Sequence, residues 1–272
     1  MTYNLYEGGM GGGGRRLDLV AAVVRAARPD VLALCEAHGM AEEPSRFADL
    51  AAAVGMRGRV APAPSGFHVA LLARAPHALA AFHGISLGGT NVLGAGLVRM
   101  AGIGDVMVAV AHLEPFDPAA RQAEAERLAA MIDPSLPAIV LGDLNGLSHR
   151  DGLTRADLLK LPLHHVERHV EQDGEVATGA TRALEAAGLV DAWRAVHPHA
   201  SPERGPHAPP EQGWTVPTSV PSPPHFGPMR VDYVFLSRDL AGRLVRCEPW
   251  RETPAATASD HFPVACDLNM SQ

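Results

Sequence analysis

Short apolar runs that each stop at a polar side chain constrain this chain more than any other feature. Val31–Cys35 stops at Glu36, Val106–Ala111 at His112, and Ala138–Leu141 at Gly142-Asp143-Leu144-Asn145. Runs this short and this continuously apolar suit strands buried on both faces. Helical patterns lie between them. Leu17, Val20, Val24 and Ala27 recur at helical spacing, and Pro29-Asp30 is expected to stop that helix. A second helix is predicted over about Glu43–Val54. Asp117-Pro118 supplies an N-cap and a first-position proline for a third, reaching about Ile132. Thr181–Ala187 reads as a short helix closed by Gly188. Further strands are predicted at Thr2–Tyr6, Val69–Ala73, Val231–Ser237 and Val264–Leu268. The alternation is that of an α/β fold.

Composition narrows the class. A chain of 272 residues buries roughly three quarters of its unfolded surface, and an apolar content of 47% excludes disorder as its main state. No repeat and no linker between two cores is visible, so residues 1–272 read as one domain. No apolar run reaches membrane-spanning length, and Met1-Thr2-Tyr3-Asn4 leads into glycines and arginines rather than a leader's apolar region. A cytoplasmic protein is expected. Cys35, Cys247 and Cys266 are scattered, which argues against a disulfide framework and a thiolate zinc site. Pairs such as His164-His165 have no zinc-ligand constellation around them, and most of the other histidines read as surface. The net charge is −7 and the arginines are dispersed, so a compact partner fits better than a long polyanion. The oligomeric state stays open.

Two segments invite other readings. Gly9-Met10-Gly11-Gly12-Gly13-Gly14 satisfies GxGxxG between a predicted strand and helix, with Glu36 ending the next strand, as in a dinucleotide-binding fold. Six glycines in positions 8–14 satisfy almost any glycine pattern, however, and Asn4 and Glu7 stand where that fold needs an apolar strand. The loop otherwise offers its amides to an anionic group or is simply mobile. Between Pro198 and Pro228 lie ten prolines in 31 residues. A polyproline ligand is one reading. A stiff ordered loop is the favoured one, because Trp214 and Phe226 need burial; the alternative for these two rings is to stack on a substrate group.

Asn4, Glu36, His112, Asp143, Asn145, Asp232, Asp260 and His261 sit in, at the end of, or just beyond predicted strands. Taken singly, each reads as a turn, a cap or a structural histidine, and Asp232 has Arg230 and Arg238 nearby as pairing partners. Taken together they form an oxygen and imidazole set without thiolate, suited to Mg²⁺ or Mn²⁺ and to attack of water on a phosphorus ester.

Thr2-Tyr3-Asn4, Pro29-Asp30-Val31-Leu32-Ala33-Leu34-Cys35-Glu36, Ala111-His112-Leu113, Gly142-Asp143-Leu144-Asn145, Arg230-Val231-Asp232-Tyr233 and Ser259-Asp260-His261-Phe262-Pro263-Val264 occur in that order. This series resembles the motifs of the endonuclease/exonuclease/phosphatase superfamily, over nearly the whole chain. The resemblance implies a four-layered α/β/β/α sandwich of two mixed β-sheets flanked by helices, the deoxyribonuclease I-like fold, and a Mg²⁺- or Mn²⁺-dependent phosphoesterase. By the same resemblance Glu36, with Asn4 as supporting amide, and Asp260 hold the metal. Asp143 orients or deprotonates water beside Asn145, His261 pairs with Asp232, and His112 donates to a non-bridging oxygen; the base is either Asp143 or the His261–Asp232 pair. The expected reaction is hydrolysis of a phosphodiester or phosphomonoester smaller than duplex DNA. A DNA endonuclease or exonuclease is the alternative, and a site repurposed for biosynthesis or binding is a third. Two departures stand out. Cys35 replaces a common glutamine beside Glu36, and His68 replaces a common glycine, so altered support and a reshaped site floor are expected.

Overall fold

The computed structural model describes residues 1–13, 15–198, 213–220 and 227–270. Two six-stranded mixed sheets stack face to face. The first has the order β11 (Leu244–Pro249), β12 (Val264–Leu268), β1 (Thr2–Asn4), β2 (Val31–Cys35), β4 (Val69–Ala73), β3 (Arg57–Ala61). The second has the order β5 (Ala78–Ser86), β6 (Val92–Met100), β7 (Gly104–His112), β8 (Ala138–Asp143), β10 (Asp232–Leu236), β9 (Val190–Asp191). Strands β1 and β2 are parallel, as are β7 and β8; the other pairings are antiparallel.

Period-two alternation sorts each central strand between two cores. Val31, Ala33, Leu71, Val108, Val110, Ile139, Leu141 and Val234 fill the space between the sheets. The other face of the first sheet, including Tyr3, Leu32, Leu34 and Leu72, is covered by helices Leu17–Ala27, Pro44–Ala53 and Ala255–Ala258. The second sheet buries Ala109, Val140, Tyr233 and Phe235 under helices Pro118–Ala130 and Gly179–Ala186. These are the four layers expected. Each fully buried Val or Leu contributes about 1.5–3 kcal/mol, and doubly covered central strands explain why those runs read as continuously apolar.

Helix ends follow local chemistry. Asp117 caps Pro118–Ala130 by accepting from the Ala119 and Ala120 amides at 2.9 and 3.2 Å. Gly188 follows Gly179–Ala186 with φ of +86°. The predicted first strand is shorter than expected: Tyr6 and Glu7 take φ of 51° and 52°, turning the chain out of the sheet just past Asn4. No helix among the described residues is long and apolar enough to cross a membrane.

Candidate active site

The site grows from strand parity. On the face between the sheets, Val108 and Val110 are followed by His112, Ile139 and Leu141 by Asp143, and Leu236 and Val234 by Asp232. Register aligns the polar ends: His112 lies opposite Asp143, and Asp143 opposite Asp232. Across the sandwich Asn4 lies opposite Cys35, and the chain turns at Glu36 with φ of 54°. Asp260 and His261 immediately precede β12, next to β1. The inter-sheet core thus ends in a polar layer at one edge. Glu36 and Asn145 (φ 48°) both hold left-handed backbone, a conformation that costs about 1–3 kcal/mol and persists where surroundings enforce it.

Hydrogen bonds knit the layer together. Asn4 Nδ2 donates to Asp143 Oδ2 at 2.9 Å and Glu36 Oε1 at 3.2 Å, while Asn4 Oδ1 accepts from the Tyr6 amide at 2.9 Å. Glu36 Oε2 accepts from the Glu7 amide at 2.7 Å. Asp143 Oδ1 accepts from the Asn145 amide at 2.9 Å, and Asn145 Nδ2 donates to Leu113 O at 2.9 Å. His261 Nδ1 and Asp232 Oδ2 are 2.8 Å apart, and His261 Nε2 lies 3.8 Å from Asp143 Oδ2. His112 Nε2 stands between two carboxylates, 3.8 Å from Asp143 and 4.0 Å from Glu36. Seven of the eight residues anticipated from sequence are thus joined directly, and Asp260 connects through Ser259, whose Oγ lies 3.4 Å from Asp260 Oδ1 and 2.7 Å from Asn4 O. Arg230 does not compete for Asp232: it bonds Asp151 at 2.8 and 3.0 Å and Asp191 at 2.9 Å.

Electrostatics bear on what the layer can do. Burial pushes the Asp260 carboxyl up to about 6, helped by Glu36, Asp143 and Asp232 and opposed by His261. Burial disfavours the His261 imidazolium, but the carboxylates of Asp232, Asp260 and Asp143 outweigh it and raise its pKa well above the ordinary value. Four acids crowd two imidazoles, and a cation would relieve that excess. The donors are hard oxygens, so Mg²⁺ or Mn²⁺ fits. Asp143, Asp232 and His261 also present ligand atoms within 4.8 Å of one another. However, the His261–Asp232 hydrogen bond already engages that imidazole.

A sequence profile, described as the Endonuclease/Exonuclease/phosphatase family, matches residues 1–261. The chain belongs to this family. Solved structures share its fold. An AP endonuclease from Archaeoglobus fulgidus superposes with a TM-score of 0.67 at 16% identity, covering 98% of each chain. A 3′-5′ exonuclease from Neisseria meningitidis gives 0.64 at 16%, again over 98% of each. An endonuclease/exonuclease/phosphatase from Beutenbergia cavernae gives 0.65 at 20%, over 98% of this chain and 70% of that one. No curated protein matches the chain by sequence. Membership replaces the dinucleotide-binding alternative: the strands flanking the glycine segment, β1 and β2, belong to one sheet of a two-sheet sandwich, not to a doubly wound sheet.

Within this family member, several residues support the site in ways the sequence reading left unassigned, and Cys35 shows the altered support expected beside Glu36. Cys35 bridges the two sheets, its thiol donating to Ala111 O at 3.3 Å and accepting the Asp143 amide at 3.4 Å. Burial, then the charge of Asp143, holds that thiol neutral by raising its pKa. Ser259 Oγ donates to Asn4 O at 2.7 Å and accepts the His261 amide at 3.3 Å. Thr215 Oγ1 accepts the amides of Val231 and Asp232 at 3.2 and 3.3 Å. His68 turns away, with Nδ1 accepting from the Ala63 amide at 3.0 Å and Nε2 facing Glu42 at 2.9 Å. Its neighbour Phe67 takes the place beside the site, edge-on to His112 with centroids 5.7 Å apart. His165 and His169 are buried rather than on the surface. Trp214 is partly buried, its carbonyl bonded by Arg251 at 2.5 Å, whereas Phe226 and most of the proline-rich segment lie outside the described residues.

Proposed function

We propose that this protein is a divalent-metal-dependent hydrolase of phosphate esters, acting by in-line attack of an activated water on a phosphodiester or phosphomonoester. The observation that carries it is the Asp143 carboxylate, bonded by Asn4 at 2.9 Å and faced by both His261 and His112 at 3.8 Å. Family membership supports the phosphoester chemistry. Glu36 and Asp260, with Asn4 as supporting amide, would hold Mg²⁺ or Mn²⁺, which polarises a phosphoryl oxygen and stabilises a leaving alkoxide when bound.

The chain's own groups divide the remaining work. Asp143 orients the water and takes its proton, with the Asn145 amide fixing one carboxylate oxygen and Asn4 the other. Asp232 fixes the His261 ring through Nδ1, so Nε2 faces the reacting phosphate as an imidazolium that compensates developing charge. His112 donates from Nε2 to a non-bridging oxygen. A compact substrate suits the net charge of −7 and the dispersed arginines. A nuclease is the second reading, favoured by full-length superposition on the Archaeoglobus AP endonuclease and the Neisseria exonuclease.

One panel separates them: bis(p-nitrophenyl) phosphate, p-nitrophenyl phosphate and an abasic-site DNA duplex, each with Mg²⁺ and with EDTA. Turnover of the small esters alone supports the compact substrate. Chelator-sensitive DNA cleavage supports the nuclease. Inertness towards all three counts against both.

A further inference from the structure

The catalytic arrangement leaves the glycine-rich segment without a task. Its course delivers one residue to one place. After Asn4 the chain turns through Gly8 and Gly9, makes a tight turn over Gly11–Gly13, and returns so that the Arg16 amide bonds Gly9 O at 2.8 Å. Gly11 lies against the Tyr6 ring, where a Cβ would fall 2.6 Å from ring atoms, so only glycine permits the approach. The Arg16 guanidinium lies over that same ring, 5.5 Å from its centroid.

Arg16 is only 8% exposed, and its Nε and Nη2 are buried without any hydrogen-bond partner. A ring face compensates a buried guanidinium only in part, and leaving such a charge unpaired is strongly unfavourable. The Tyr3 hydroxyl is likewise buried and unpartnered, within electrostatic reach of both Arg16 and Asp260. Arg16 also stands at the N-cap of helix Leu17–Ala27, whose first turn has no side-chain cap, and that turn's acid, Asp18, does not bond these nitrogens. Two guanidinium nitrogens and a hydroxyl without partners, beside a helix N-terminus with no side-chain cap, form a donor set lacking an acceptor, and an oxyanion supplies one. The catalytic layer is adjacent: Tyr6, whose ring carries Arg16, donates its amide to Asn4 Oδ1 at 2.9 Å, and the next amide, Glu7, bonds Glu36 at 2.7 Å.

We infer that Arg16, the Tyr3 hydroxyl and the first turn of helix Leu17–Ala27 form an oxyanion subsite beside the catalytic centre, taking a second phosphate group. That phosphate is either carried by the substrate or free; its use in substrate selection rests on the hydrolase reading, whereas its binding does not. The test titrates inorganic phosphate calorimetrically into EDTA-treated protein. Wild type is expected to bind, Arg16→Met and Arg16→Gln roughly 10- to 100-fold more weakly, and Asp143→Asn as wild type does. Phosphate should raise the melting temperature of wild type but not of the Arg16 variants. In phosphate-free buffer Arg16→Met should melt above wild type, because an unpaired buried charge is gone. Absence of phosphate binding in wild type, or equal binding in both Arg16 variants, overturns the subsite. Kinetics identify the source: a lower KM for 5′-phosphorylated thymidylyl-thymidine than for its unphosphorylated form, abolished in Arg16→Gln, assigns the site to the substrate's own phosphate. Equal KM values with retained calorimetric binding assign it to free phosphate. If phosphate binding depends on Arg16 while no ester is turned over, the subsite stands and the hydrolase reading fails.

Discussion

At Asp143 two hydrogen bonds from different parts of the chain meet one carboxylate, leaving its faces towards His112 and His261. His261 in turn owes its raised pKa to carboxylates acting against burial, with Asp232 first among them. Replacing Asp232 by Asn should therefore move the His261 titration down, measured by NMR of the imidazole in the chelated protein. Asp260 provides the opposite kind of test. Its folded pKa of about 6 lies above the ordinary 3.8, so this carboxyl favours the fold below pH 3.8 and loses that contribution as pH rises through 6. In EDTA at pH 7.5, Asp260→Asn should stabilise the protein, by on the order of 2 kcal/mol in urea melts. The same variant should lose turnover with Mg²⁺. Stability gained where activity is lost marks a residue retained for function.

The elements that build the site are the ones most legible in sequence. Val31–Cys35, Val69–Ala73 and Val264–Leu268 occur at their predicted bounds; the first two are apolar throughout because both faces are covered, whereas the third carries the exposed Asp267. The five strands not predicted, β3, β5, β6, β9 and β11, lack that signal. Arg57-Gly58-Arg59 opens an edge strand, β5 carries His83, Gly84 and Ser86, β6 is interrupted by Gly94-Ala95-Gly96, β9 has two residues, and β11 carries Arg246 and Glu248. In β6, Gly94 and Gly96 make room for the Phe82 ring, a reason for glycine visible only once the neighbouring strand is placed. The eight site residues were readable because each interrupts an apolar period. The supporting roles of Thr215 and Ser259 were not, since a small side chain bonded to backbone leaves no such mark; Cys35 stood out only by its place beside Glu36, not by its bonds to the second sheet. Gly142 and Asp117 separate two kinds of constraint on this sheet. A Cβ at Gly142 would lie 1.9 Å from Ala111 O, so Gly142→Ala should force β7 from β8, cost roughly 3 kcal/mol or more and abolish turnover. Asp117→Ala removes only a cap, about 1 kcal/mol, and should leave kcat unchanged; urea melts and steady-state kinetics check both.

Across the whole molecule, two sheets carry an apolar core that turns polar at one edge, and four buried or half-buried acids there outnumber the imidazoles. Such a charge excess is tolerable with a cation in place and unfavourable without one. A net charge of −7 disfavours long polyanions globally, so whatever anion the site admits must be drawn by local groups. The central claim is that this edge is a metal-dependent phosphoesterase organised on Asp143. Its most direct test is hydrolysis of bis(p-nitrophenyl) phosphate by the wild type and Asp143→Asn, with EDTA and then with added Mg²⁺ or Mn²⁺. Expected is wild-type turnover that stops on chelation and returns with the ion, and a loss of about 10²- to 10⁴-fold in the variant. Turnover indifferent to EDTA, or an Asp143→Asn enzyme as fast as wild type, would contradict it.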